Sequence, residues 1–134
     1  MTETVLFYFP TGAEGAAAAR KTFAIQKVRV RTIAPEQTGS AVGWLAGLPG
    51  SSREEIAETP PEEAVLLFCG FSDRRLDAVL AALRKAGVPR SVYRAALTES
   101  NVGWSFAALC RELAGERAAI ARGETDDSAG NRYR

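Results

Sequence analysis

Two stretches of this chain, Val5 to Phe9 (VLFYF) and Ala64 to Cys69 (AVLLFC), are apolar at every position. A strand with one wet face alternates apolar and polar residues, so an unbroken apolar run of this length predicts a strand covered on both faces. Both runs therefore belong at the centre of a sheet that carries helices on either side.

The residues after each run agree with this placement. Thr11-Gly12-Ala13-Glu14 has the spacing of a capping box, and an alanine-rich helix is expected from there to about Gln26. After the second run, Leu76, Val79, Leu80 and Leu83 recur at the spacing of one buried helix face, with Gly87 and Pro89 as stop signals. Val28 to Ile33 (VRVRTI) alternates valines with Arg29 and Arg31, which predicts an edge strand with one face in solvent or covered by arginine stems. Val92 to Leu97, interrupted by Arg94, is a second outer strand, and Phe106, Leu109, Cys110, Leu113 and Ile120 stripe a last helix.

Alternating strands and helices predict an α/β fold: a single three-layer domain over residues 1–122, with a four-stranded, mainly parallel sheet in the order 2-1-3-4 flanked by helices. From Gly123 to Arg134 the chain is polar and a disordered tail is expected. Residues 49–63 carry Glu54, Glu55, Glu58, Glu62 and Glu63 among prolines and serines and read as a solvated acidic loop. Gly39, Gly43 and Gly47 recur four apart, which suits either close packing of a short helix on the sheet or a helix-helix contact in a dimer.

Charge and composition narrow the function. The 17 basic and 16 acidic side chains leave a net charge of +1, so no overall field recruits nucleic acid or an anionic membrane. No apolar run approaches the roughly 20 residues that span a bilayer. The opening MTETVLFYFP reads as a first strand and not as a signal peptide, which makes the cytoplasm the expected location. The chain has no histidine, which removes the usual base of serine and cysteine nucleophiles and the commonest zinc ligand. Cys69 and Cys110 have the spacing of neither a metal site nor a disulfide scaffold and read as reduced structural thiols. No metal site, cofactor or catalytic residue is assigned.

A parallel sheet in the order 2-1-3-4 has a topological switch between strands one and three, and ligands of open α/β sheets bind outside the carboxyl ends of the strands at such a switch. The loops after those strands, with a residue of the last loop, supply the candidate ligand-binding set: Thr11, Gly12, Gly70, Ser72, Arg74, Arg75 and Asn101. A small anion or metabolite is the ligand class they suit. Cys69 and Arg75 also have the cysteine, five residues, arginine spacing of thiol phosphatases and arsenate reductases. Against that chemistry, Asp73 would put a carboxylate in the anion cradle, Phe71 would crowd it, and Leu76 replaces the hydroxyl residue that assists the thiolate. Ser72 is expected as the helix N-cap instead, and Asn101, with Thr98 and Ser100, as a cap of the last helix. Trp44 and Trp104 read as packing residues.

The segments GWLAGLPG, LLFCGFSDRRLDAVLAALRKAGVPR and RAALTESNVGW, taken together, resemble a bacterial family known as domain of unknown function 3783. The resemblance spans about residues 4 to 117 and rests on Gly70, Phe71, Leu97, Thr98, Asn101 and Trp104. It implies no activity, substrate or cofactor. The residues support three functional readings: a non-catalytic interaction or regulatory module, acting as a homodimer or on a protein partner; a small-anion or metabolite binder at the switch-point crevice; and a thiol enzyme using Cys69 and Arg75.

Overall fold

A computed structural model describes residues 2–51, 55–121 and 123. The elements run in the order β1 (Thr4–Tyr8), α1 (Ala16–Ile25), β2 (Arg29–Thr32), a 3-10 turn (Pro35–Gln37), α2 (Val42–Leu45), β3 (Val65–Cys69), α3 (Asp73–Lys85), β4 (Tyr93–Ala96) and α4 (Phe106–Ala121). The tail expected beyond Gly123 lies outside the described residues.

Every residue of β1 and β3 is buried, as their apolar runs require, and the strand order is β2-β1-β3-β4. Alternate side chains of the two strands enter two cores. Val5, Phe7, Leu66 and Phe68 pack under α1 and α3 with Ala19, Phe23, Leu76, Val79 and Leu83. Leu6, Tyr8, Leu67 and Cys69 pack on the other face with Val42 and Leu45 of α2 and Phe106, Leu109 and Leu113 of α4. The three layers are thus α1 and α3, the sheet, and α2 and α4.

The expected α/β fold, strand order and mainly parallel pairing are present, with one exception at the centre of the sheet. β1 pairs with β2, and β3 with β4, in parallel, but β1 and β3 run antiparallel, with Thr4 opposite Cys69, Leu6 opposite Leu67 and Tyr8 opposite Val65. The sheet is mixed. The reason lies in the stretch between β2 and β3. A parallel continuation needs a crossover helix long enough to carry the chain back to the end where β2 began. This stretch holds a helix of only 4 residues. It leaves beside the carboxyl end of β1, where Ile33 N–H donates to Phe7 O, and returns to the same end, where the Tyr8 hydroxyl donates to Pro61 O.

Reversal of β3 gives the chain two βαβα halves related by an approximate two-fold axis. The β1–β3 pairing is centred on Leu6 and Leu67, which are each other's counterparts. The ends of α1 and α3 match bond for bond: Val28 N–H donates to Phe23 O at 2.9 Å and Val88 N–H to Leu83 O at 3.1 Å, past residues at positive φ, Lys27 and Gly87. Where the halves meet again, their hydrogen bonds are reciprocal. Val42 N–H donates to Trp104 O and Phe106 N–H to Ser40 O, while Gly43 N–H donates to Val102 O and Ala107 N–H to Thr38 O, around an antiparallel bridge between Ala41 and Ser105. The halves differ in finish, since α2 has 4 residues and α4 has 16.

The glycine series sits inside this junction. Only Gly43 lies in α2, and a methyl group at Gly39 would stand 1.8 Å from the Ile56 carbonyl oxygen, while one at Gly43 would meet Val102 and the Ser51 hydroxyl. These two glycines serve contacts within the chain. Gly39→Ala should therefore cost about 1–3 kcal/mol, the range of an overpacked core site. Gly103→Ala, where a methyl meets nothing within 4 Å, should stay within about 0.5 kcal/mol. Urea unfolding of both variants measures the difference.

Candidate functional site

Because β1 and β3 are antiparallel, the loops that come after them lie at opposite ends of the sheet. Thr11 and Gly12 are exposed beside the carboxyl end of β1, in a turn closed by Ala13 N–H donating to Pro10 O. This end also gathers the loop before β4, and Gly15 abuts Pro89. Gly70, Ser72, Arg74, Arg75 and Asn101 belong to the other end. The candidate set is therefore divided between the two ends of the sheet. The capping box expected at Thr11 to Glu14 is absent too: α1 starts at Ala16 behind Gly15, whose φ of 99° only glycine adopts readily and which offers no side-chain cap.

At the second end Ser72, Arg75 and Asn101 are engaged in bonds within the fold. Gly70, at φ 80°, makes the turn out of β3, and Phe71 packs edge-on against Phe68 at 5.4 Å between ring centres. Ser72 is the N-cap of α3 as expected: its hydroxyl oxygen accepts from Arg75 N–H at 3.2 Å, with Asp73 favourably placed in the first turn. The Arg75 guanidinium is spent on the structure. Its Nε donates to both Glu3 carboxylate oxygens at 3.0 and 3.2 Å, one Nη donates to Gln26 Oε1 at 3.0 Å, and the other to the Gln26 carbonyl. It ties α3 to the start of β1 and the end of α1. Arg74 is exposed.

Asn101 closes the loop after β4 and does not cap the last helix. Its Oδ1 accepts from Thr98 N–H at 2.9 Å and its Nδ2 donates to Ala96 O at 3.0 Å. The residue that accepts from the first turn of α4 is Ser105, through Ala108 N–H at 3.0 Å. Ser105 in turn donates to the Glu58 carboxylate, which also meets Arg111 at 3.2 Å. One member of the acidic loop is thus fixed at a helix N-terminus, and the Ser105 and Arg111 contacts hold its carboxyl below the ordinary value of 4.5. Nearby, Pro35, Glu36, Gly39, Glu55, Ile56 and Glu58 line an open hollow of about 410 Å³.

Cys69 is fully buried, and its thiol faces the Leu67 carbonyl oxygen at 3.8 Å. Burial pushes it up to about 12. Attack on phosphorus needs a thiolate, an open anion cradle and an arginine free to grip the anion. Here the thiol is held neutral and the arginine is engaged elsewhere. Among the described residues no three His, Cys, Asp or Glu side chains are grouped to hold a metal ion. Among the same residues no helix is long and apolar enough to cross a membrane.

Sequence reasoning read Arg29 and Arg31 as marks of an edge strand but passed over the charge block they belong to, from which the fold also brings Arg20 to that edge. No carboxylate occurs between Glu14 and Glu36, and Arg20, Lys21, Lys27, Arg29 and Arg31 all fall in that interval. The near-zero net charge conceals this block, whereas a running charge count would have found it. On β2, Arg29, Arg31 and Thr32 are exposed, and among the described residues none of these five cations has a carboxylate within ion-pair distance.

The architecture is that of an α/β protein with an open mixed sheet and helices on both faces. Residues 64–120 match the family described as Domain of unknown function (DUF3783), a stretch that runs from β3 into α4. The match coincides with the second βαβα half; the resemblance expected over residues 4 to 117 reaches beyond it. No curated protein and no solved structure matches the chain significantly.

Two outcomes are expected from this geometry. A thiol reagent at pH 8 should modify neither cysteine of the native protein, because at a value near 12 only about one Cys69 thiol in ten thousand is ionised and the sulfur is covered. Cys110, likewise buried and likewise raised, should behave the same, and both should react once denaturant is added. Glu58, whose folded value is depressed, contributes stability that is complete above 4.5 and is lost as pH falls below it through the folded value. Glu58→Gln should flatten that part of the acid unfolding curve while lowering stability at pH 7.

Proposed function

We propose that this chain is a non-catalytic interaction module of the bacterial cytoplasm that holds a protein partner on its surface. The observation that carries this reading is the open strand β2. It ends the sheet on one side, and Arg29, Arg31 and Thr32 along it are exposed, whereas Cys69 is buried and Arg75 is bonded to Glu3 and Gln26. Exposed edge strands are templates for pairing with another chain unless something covers them. A second copy fits poorly, since two β2 edges would bring Arg29 and Arg31 of each copy together. A partner of other composition is favoured over a homodimer.

The small-anion reading has less support, because the residues named for it are split between the two ends of the sheet. The thiol-enzyme reading has less again, with a buried neutral thiol at its centre.

Native-state hydrogen exchange tests the open edge. Arg29 N–H donates to Glu3 O and Ile33 N–H to Phe7 O, so by strand alternation Arg31 also faces inward while Val30 and Thr32 face out. Fast exchange at Val30 and Thr32 beside slow exchange at Arg31 and Ile33 is expected. Equal protection of all four would mean that the edge is covered and the reading fails. Hydrolysis of an activated aryl phosphate should be at background in both the natural protein and Cys69→Ser; a rate abolished by that substitution would overturn the non-catalytic part. Light scattering on a concentrated sample should show a monomer.

A further inference from the structure

We propose that the outer edge of β2 is a docking strand for an extended acidic segment of a partner protein, added to the sheet as a fifth strand. This rests on the interaction-module reading above and names the chemistry of the partner.

The comparison of the two halves shows what an edge looks like when the chain closes it itself. In β4, the counterpart of Val30 is Arg94, which is buried and donates from its guanidinium to Val92 O at 2.8 Å and Val88 O at 3.4 Å. The ring of Tyr93, the counterpart of Arg29, lies under the Arg117 guanidinium at 3.8 Å, and Arg117 comes from the far part of a long α4. In the first half α2 ends at Leu45, before it can reach that far, and Arg29 and Arg31 stand exposed where Tyr93 and Ala95 are buried. Among the described residues nothing pairs with the outward amide and carbonyl groups of Val30 and Thr32, which are open to another strand.

The charges choose the occupant. Arg20, on α1, lies over the Phe7 ring at 4.2 Å and donates to Thr32 Oγ1 at 3.1 Å, which places it on one face of the sheet beside the edge. Arg31 lies over Trp44 at 6.0 Å on the opposite face. A small anion cannot touch both faces at once. An extended peptide can, because successive side chains of a strand point to opposite faces, so acidic residues at neighbouring positions would meet Arg20 on one side and Arg29 and Arg31 on the other. The same cations repel a second β2 edge. A nucleic acid strand would meet the charge but has no amide ladder to pair with Val30 and Thr32.

The test is a fluorescence anisotropy titration of the full chain with a labelled peptide of about eight residues in which pairs of adjacent Glu residues, one for each face of the sheet, are set between Val and Thr. Saturable binding that weakens with salt is expected, with a loss of about tenfold in the Arg29→Glu, Arg31→Glu double variant. Val30→Pro removes an outward donor while leaving the inward ladder, and should weaken binding about fivefold with an unchanged circular dichroism spectrum. Should that variant not fold, the same peptide N-methylated on its pairing amides serves as the second measure and should lose binding to the natural protein. Absence of saturable binding, or binding indifferent to both Val30→Pro and N-methylation, would overturn the proposal. A single-stranded oligonucleotide of equal charge that binds more tightly than the peptide would overturn it too. If hydrogen exchange shows the edge open and the peptide fails, only the acidic partner is lost; if the edge is protected, the interaction reading falls with it.

Discussion

The antiparallel pairing of β1 with β3 is the constraint on which the rest of the molecule depends. These are the two fully buried strands, and their five paired positions feed both cores. Their opposed directions decide which loops share an end of the sheet, and they create the two-fold arrangement in which α1 lies beside α3 and the α2 segment exchanges backbone bonds with the start of α4. Much of the backbone in the long β2–β3 connection would otherwise lie over apolar surface without partners. The reciprocal bonds between residues 38–43 and 102–107 satisfy part of it.

How much of this was legible in the sequence varied with the kind of signal. Burial on both faces is written into VLFYF and AVLLFC, the edge position of β2 into its alternating arginines, and the end of α3 into Gly87 and Pro89. Strand order came from those same signals. Strand direction did not, because periodicity is the same for a strand read either way, and direction was set by a connection with only one short helix. The switch-point crevice depended on direction and fell with it. Smaller departures have local causes. Gly15 starts α1 later than Thr11 would have, and Asn101 finds the carbonyl of Ala96 and the amide of Thr98 closer than the first turn of α4. At Ser72 and Cys69 local chemistry and tertiary position agree, and there the sequence reading holds.

The chemistry of the candidate site is a consequence of the same architecture. A thiol at the end of a central strand is covered by helices on its face of the sheet, so it stays neutral, and an arginine in the first turn of α3 lands near Glu3 and Gln26 because β1 begins where β3 ends. What the fold leaves open is the side of the sheet where the first half lacks the long helix of the second. The matched family covers only the second half, and it is the first that carries the exposed basic strand.

The direction of β3 is directly measurable by proton NMR. In this register Val5 with Phe68 and Phe7 with Leu66 are the non-hydrogen-bonded pairs, since Thr4, Leu6 and Tyr8 turn their amides toward β3, and such pairs bring Hα atoms within close reach across antiparallel strands. Strong Hα–Hα cross-peaks between Val5 and Phe68 and between Phe7 and Leu66 are the expected result. Cross-peaks that place Val5 beside the beginning of β3 and Phe7 beside its end would show a parallel pair, reunite the Thr11 and Ser72 loops at one end, and contradict the account.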